Sequence, residues 1–162
     1  MSVERIQVSV DGELSGVAEL PIAIAAPGLF SADASGKGPG AIVNQDGTLN
    51  TALRPAQAES IVSLYGTGAG LLDRFVGFGY LTVTLPLGVI RNGVAVSIGD
   101  KIADVLYAGA APSLLDGVFQ LNVRIPGGTG TGAIPVRLTI GGVTANEVTV
   151  WVRKGGHRTP LW

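Results

Sequence analysis

The feature that most narrows how this chain can fold is a two-residue alternation of apolar and polar side chains, repeatedly cut by glycine. It is clearest in "GVFQLNVRIP", where Phe119, Leu121, Val123 and Ile125 alternate with Gln120, Asn122 and Arg124. Successive side chains of a strand point to opposite faces, so this spacing gives an extended segment one apolar face. Pro126 has no backbone donor and ends the run. The period returns in "AIPVRLTIGG", with Ile134, Val136, Leu138 and Ile140 inward. Gly141-Gly142 then turns into "VTANEVTVWV", with Val148, Val150 and Val152 on one face. It also opens the chain: Ile6, Val8 and Val10 alternate with Arg5, Gln7 and Ser9, Asp11-Gly12 signals a turn, and Leu20, Ile22 and Ile24 form a second set. No window sustains helical periodicity over three turns.

Between these ends the same reading continues. "AIVNQDGTLN" is a hairpin turning at Gln45-Asp46-Gly47, and Ile61, Val62 and Leu64 form a strand. "VAVSIGD" and "KIADVLYAGAAP" pair across Gly99-Asp100. Residues 28–40 read as a loop, residues 51–58 as irregular with one helical turn, and residues 71–93 are the least regular, with a strand-like "YLTVTLPLGVI" inside them. The 25 glycines suit short strands joined by tight turns. Strands at about 8–12-residue spacing predict an all-β sandwich. The expected organisation is an N-terminal β-hairpin over residues 1–25, a sandwich over 26–154 and a tail over 155–162.

Composition excludes several functions. Charged residues are 14% of the 162, against about 25% in an average globular chain. So uncharged a surface is expected to be covered in part by neighbours. No apolar run approaches the ~18 residues of a membrane helix, and no membrane insertion is expected. A net charge of −1 without a basic patch argues against nucleic acid. The absence of cysteine removes disulfides, thiol catalysis and thiolate metal sites. Met1 is followed by Ser2-Val3-Glu4-Arg5, which is not a signal peptide.

"SLYGTGAG", residues 63–70, is half of a dinucleotide-binding fingerprint. Such a site needs a helix directly after the glycines, with an acid about 20 residues on. Here "LLDRFVGFGYLTVT" follows, interrupted by Gly77 and Gly79 and rich in strand formers. The structural reading is therefore preferred, in which Gly66, Gly68 and Gly70 let the chain leave a strand through positive φ. "NQDGT" has one acid, too few for a calcium loop. His157 is the only histidine and lies in the tail, there is no Gly-x-Ser-x-Gly elbow, and Asp73, Asp100, Asp104 and Asp116 are scattered near turns. No catalytic, cofactor-binding or metal-ligating residue is assigned, and no enzyme activity is expected.

Two features suggest contact surfaces. Trp151 is out of phase with its apolar neighbours and shares the outer face with Thr149 and Arg153, where a partner subunit, a sugar, or the tail with Trp162 would cover it. The opening hairpin also resembles the closing one: Ile6, Val8 and Val10 fall on Val136, Leu138 and Ile140, and Leu20, Ile22 and Ile24 on Val148, Val150 and Val152 once two residues are inserted.

Four phrases together, "AAPGLFSADASGKGPGAIVNQDGTLN", "SIVSLYGTGAG", "VLYAGAAPSLLDGVFQLNVRIP" and "IPVRLTIGGVTANEVTVWV", resemble an uncharacterised immunoglobulin-like C-terminal domain expanded in Solibacter and other Acidobacteria. The resemblance runs from about Arg5 to Arg153. It implies an immunoglobulin-like sandwich, similar to modules of transcription-factor and plexin type, at the end of a secreted or cell-surface protein. It brings no catalytic residues. It also implies that the first hairpin closes a preceding related half, which is missing here. The hairpin's Ile6, Val8, Val10, Leu20, Ile22 and Ile24 then need cover, because a two-stranded hairpin is marginal alone in water. They would fold back on the sandwich or pack on another copy, giving a homo-oligomer or a filament. The expected function is a structural, self-associating module. The alternative is a carbohydrate- or protein-binding accessory module using Trp151.

Overall fold

The computed structural model describes residues 3–74, 81–82 and 86–155. All regular structure among them is β: β1 (Val3–Ile6), β2 (Ser9–Val10), β3 (Glu13–Leu14), β4 (Ala18–Pro21), β5 (Gly28–Leu29), β6 (Ile42–Asn44), β7 (Ala56–Gln57), β8 (Ile61–Thr67), β9 (Val94–Ile98), β10 (Lys101–Ala110), β11 (Val118–Arg124), β12 (Gly132–Ile140), β13 (Val143–Thr144) and β14 (Val148–Arg153).

From β5 onward the strands form one continuous path, β5-β8-β11-β10-β9-β12-β14-β7, with β6 branching from β8 and β13 from β12. The path folds over at β10. Lys101 to Ala103 pair with β9, and Asp104 to Ala110 pair with β11, with a register shift between Val105 and Tyr107. An irregularity of this kind bends a strand and lets it serve two layers. One layer holds β5, β6, β8 and β11; the other holds β9, β12, β13, β14 and β7. The pairings are antiparallel except that of β7 with β14.

The alternation seen in the sequence becomes the core. Val62 and Leu64 of β8 and Phe119, Leu121 and Val123 of β11 are buried from one layer. Val96 and Ile98 of β9, Val136, Leu138 and Ile140 of β12, and Val148, Val150 and Val152 of β14 are buried from the other. The three strands β9, β12 and β14 lie side by side, so their apolar faces form one continuous wall.

Three expectations change. Residues 51–58 contain no helical turn: Thr51 bridges Arg54 in a tight turn, and Ala56–Gln57 is the parallel strand beside β14. Pro55 explains this, since the residue before a proline is pushed out of the α region. Residues 28–40, expected as a loop, begin with strand β5 paired to β8. Within 71–93, Leu72 bridges Ile90 and Val89 bridges Gly109, while most of "YLTVT" lies outside the described residues.

The first strands stand apart from this path. β1 pairs with β4 and β2 with β3, as two nested antiparallel ladders. Residues 3–24 are all solvent-exposed. This segment is an arm, joined to the sandwich at Ala25, which is buried.

Candidate functional site

The glycine triplet is where the arm joins. Gly66 lies within β8, opposite Phe119 and beside Leu29. A Cβ at Gly66 would overlap the Gly28 carbonyl oxygen and the Phe119 ring. A Cβ at Gly68 would overlap the Ala26 carbonyl oxygen, and one at Gly70 the Ile24 carbonyl oxygen. Gly68 and Gly70 also hold φ of +78° and +77°, open to glycine and strained for other residues. The Ala26 N–H donates to the Gly68 carbonyl at 2.9 Å. The alternate glycines therefore clear a track for the backbone of Ile24 to Gly28. They seat the connector of the arm.

The arm itself is a second copy of the hairpin β12–β13–β14. Val3↔Pro21, Glu4↔Leu20, Arg5↔Glu19 and Ile6↔Ala18 match Ala133↔Trp151, Ile134↔Val150, Pro135↔Thr149 and Val136↔Val148. Ser9↔Leu14 and Val10↔Glu13 match Thr139↔Thr144 and Ile140↔Val143. All correspond at one constant offset along the chain. Even the break between ladders is shared: the Ser15 N–H donates to the Val8 carbonyl, and the Ala145 N–H to the Leu138 carbonyl, both at 2.9 Å. The two-residue insertion expected in the alignment is not there. Ala18, Leu20 and Ile22, rather than Leu20, Ile22 and Ile24, correspond to Val148, Val150 and Val152. The sequence misled because Ala18 is a weak apolar signal, which moved the apparent repeat onward by one strand period.

The copies differ in cover. Val136, Leu138, Ile140 and Val150 are 0% exposed, whereas Ile6, Val8, Val10 and Leu20 are 48%, 55%, 65% and 49% exposed. Ile22 is exposed as well, one residue beyond β4. Ile24 belongs to the connector instead: its carbonyl meets Gly70 and its Cδ1 lies close over Gly141. On the opposite face of the arm Arg5 and Glu19 approach at 3.4 Å, an exposed pair of little energetic weight.

The covered copy is tied down by two asparagines that sequence reasoning missed. Asn50 is buried; its amide N donates to the Trp151 carbonyl and its amide O accepts the Trp151 N–H. It thereby closes the outer edge of β14. Asn146 accepts the Leu29 N–H and donates to the carbonyls of Leu29 and Gly36, fastening the 28–36 loop to the link between β13 and β14. Polar residues flanked by apolar strands were the available signal. Trp151 is half-buried on the outer face, opposite Ala133, with its backbone held by Asn50. Trp162 and His157 lie outside the described residues.

Three of the acids serve loops. The Asp46 carboxylate accepts the Thr48 hydroxyl and N–H in the β6 turn, which lowers its pKa. Asp33 is lowered in the same way by the hydroxyl and N–H of Ser35 and the hydroxyl of Ser31. The Asp73 carboxylate accepts the Val89 N–H. Among the described residues no three acids or histidines gather. No family model, curated protein or solved structure matches this chain.

Proposed function

We propose that this chain is a non-enzymatic structural module of an extracellular or cell-surface assembly. In this reading it is an immunoglobulin-like sandwich, a member of the family its sequence resembles, that associates with further copies through the apolar face of its arm and can extend into a filament. The observation that carries the reading is the uncovered face of Ile6, Val8, Val10, Leu20 and Ile22. Burying such a side chain from full exposure is worth about 1.5–3 kcal/mol; at 44–65% exposed each has roughly half of that left to gain, and five together still outweigh any surface ion pair the arm makes. The low charge content and the glycine-seated connector, which fixes where the arm leaves the sandwich, point the same way.

The test is face-specific. Leu20→Lys places a charge on the apolar face, and Glu19→Gln changes the opposite face conservatively. Sedimentation velocity is expected to show associated protein for the unmodified chain and for Glu19→Gln, and monomer for Leu20→Lys. Equal sedimentation of all three would remove the arm from the account.

A further inference from the structure

We propose that the arm's tight partner is an open sandwich: a β-sandwich of this architecture lacking its own last hairpin, whose gap the arm fills as β12–β14 fill it here. This rests on the reading of the arm as a connector and names what it connects to.

The argument starts from the duplicate. The same pairing, at the same offset, occurs twice in one chain, and one occurrence displays its solved environment. Around β12–β14 that environment has two parts. The edge of β9 pairs with β12, and the opposite layer presents Val62, Leu64, Phe119, Leu121 and Val123. The arm carries a face to match: Ile6 for Val136, Val8 for Leu138, Val10 for Ile140, Leu20 for Val150 and Ile22 for Val152. The turns agree as well. Asp11 and Gly12 have φ of 52° and 86°, and Gly141 and Gly142 have 57° and 82°, both as a two-residue hairpin turn of the primed kind requires.

The arm's edges say which side joins the partner. Pro21 stands where β14 has Trp151, so the outer edge of β4 lacks the donor that Asn50 satisfies in the covered copy. On the other side, Val8 uses its N–H and carbonyl on Ser15. Alternate residues of a strand present these groups to opposite edges, so Gln7 and Ser9 present theirs outward. Their counterparts, Arg137 and Thr139, lie in register with Ser97 and Ala95 of β9. The arm is thus open along the edge that its duplicate uses to join a sandwich. It has also lost the loop-fastening side chain: Gly16 stands where the covered copy has Asn146.

A closed copy of the chain can offer the arm only exposed apolar surface, such as its own arm; that looser contact is the self-association tested above, and it is not the tight partner. The gap of a closed copy is already filled by β12–β14, and exchanging one hairpin for the other exposes as much apolar surface as it buries. Only a sandwich without that hairpin gains the full burial. The register follows: Ile6 beside the acceptor's Ile98, Val8 beside its Val96 and Val10 beside its Val94.

The chain contains no cysteine, which makes the register testable by cross-linking. The probe is a shortened copy, residues 23–130, lacking both hairpins and carrying Ser97→Cys, co-expressed with the full chain carrying Gln7→Cys. Directly opposed residues of an antiparallel pair have Cα atoms about 4.5–5.5 Å apart, within the span of a disulfide. The expected result is that the shortened copy moves from the insoluble to the soluble fraction only when the full chain is present. It should co-purify as an equimolar complex, and the two introduced cysteines should form a disulfide. Moving the acceptor cysteine to Ala95→Cys should abolish the cross-link while leaving the complex intact. A shortened copy that stays insoluble, or a complex in which both acceptor cysteines cross-link equally, overturns the proposal. If the shortened copy is not rescued while Leu20→Lys still dissociates the full chain, the open-sandwich partner falls and association through the arm stands. If Leu20→Lys is also without effect, both fall.

Discussion

Replacing Gly68 by alanine is expected to lower the stability of the sandwich by about 2–4 kcal/mol, a drop in Tm of roughly 5–15 °C for a chain of this length. Two costs add. Gly68 sits at φ +78°, and a side chain in the left-handed region costs about 1–2 kcal/mol. The new Cβ would also overlap the Ala26 carbonyl, and that oxygen belongs to backbone that cannot rotate aside. Gly142→Ala is the control. Gly142 has φ +82° with nothing near its Cβ position, so it should lose only the conformational part. Thermal unfolding of the two variants separates strain from overlap. Equal losses would mean that the connector is not seated on the glycine track.

Phe119→Ala is expected to cost about 3–5 kcal/mol in urea unfolding, through lost burial and the cavity left behind. Phe119 is 1% exposed and heads the fully buried side chains. It pairs with Gly66 on β8, and its ring occupies the space a Cβ there would need. The ring therefore packs directly against the strand that seats the arm's connector. Its loss should loosen β8 as well as the core. A cost below about 1 kcal/mol, the range of a surface change, would show that the two layers do not meet at this ring.

Much of the fold was legible because one physical signal dominates it. In β11, β12 and β14 the two-residue period fixed the buried face residue by residue, and Gly99-Asp100 correctly marked the turn between β9 and β10. What failed was governed by contacts distant in sequence. The parallel pairing of Ala56–Gln57 with β14 joins segments almost a hundred residues apart and leaves no local pattern. The roles of Asn50 and Asn146 are likewise set by what they meet across the fold. Positive φ was expected at all three glycines of the triplet and holds at Gly68 and Gly70. Gly66 lies inside β8, where the missing Cβ admits the Gly28 carbonyl and the Phe119 ring, and the spacing reports the path of residues 24–28, which only the assembled layers reveal. For the candidate interface, the apolar positions of the arm were evident. Ile24, 63% exposed, was grouped with them, and alternation alone does not show that β4 ends before it, at Pro21.

The central claim, that the arm is a connecting element, is tested most directly by the solution mass from light scattering. The full chain would be measured beside a version lacking residues 1–22, which keeps the segment seated on the glycines. Because residues 3–24 are exposed, the shortened protein should fold with its core intact. The account predicts that the full chain is oligomeric or polymeric and the shortened one monomeric, with the same Tm for the sandwich. Two well-folded proteins of monomer mass would contradict it.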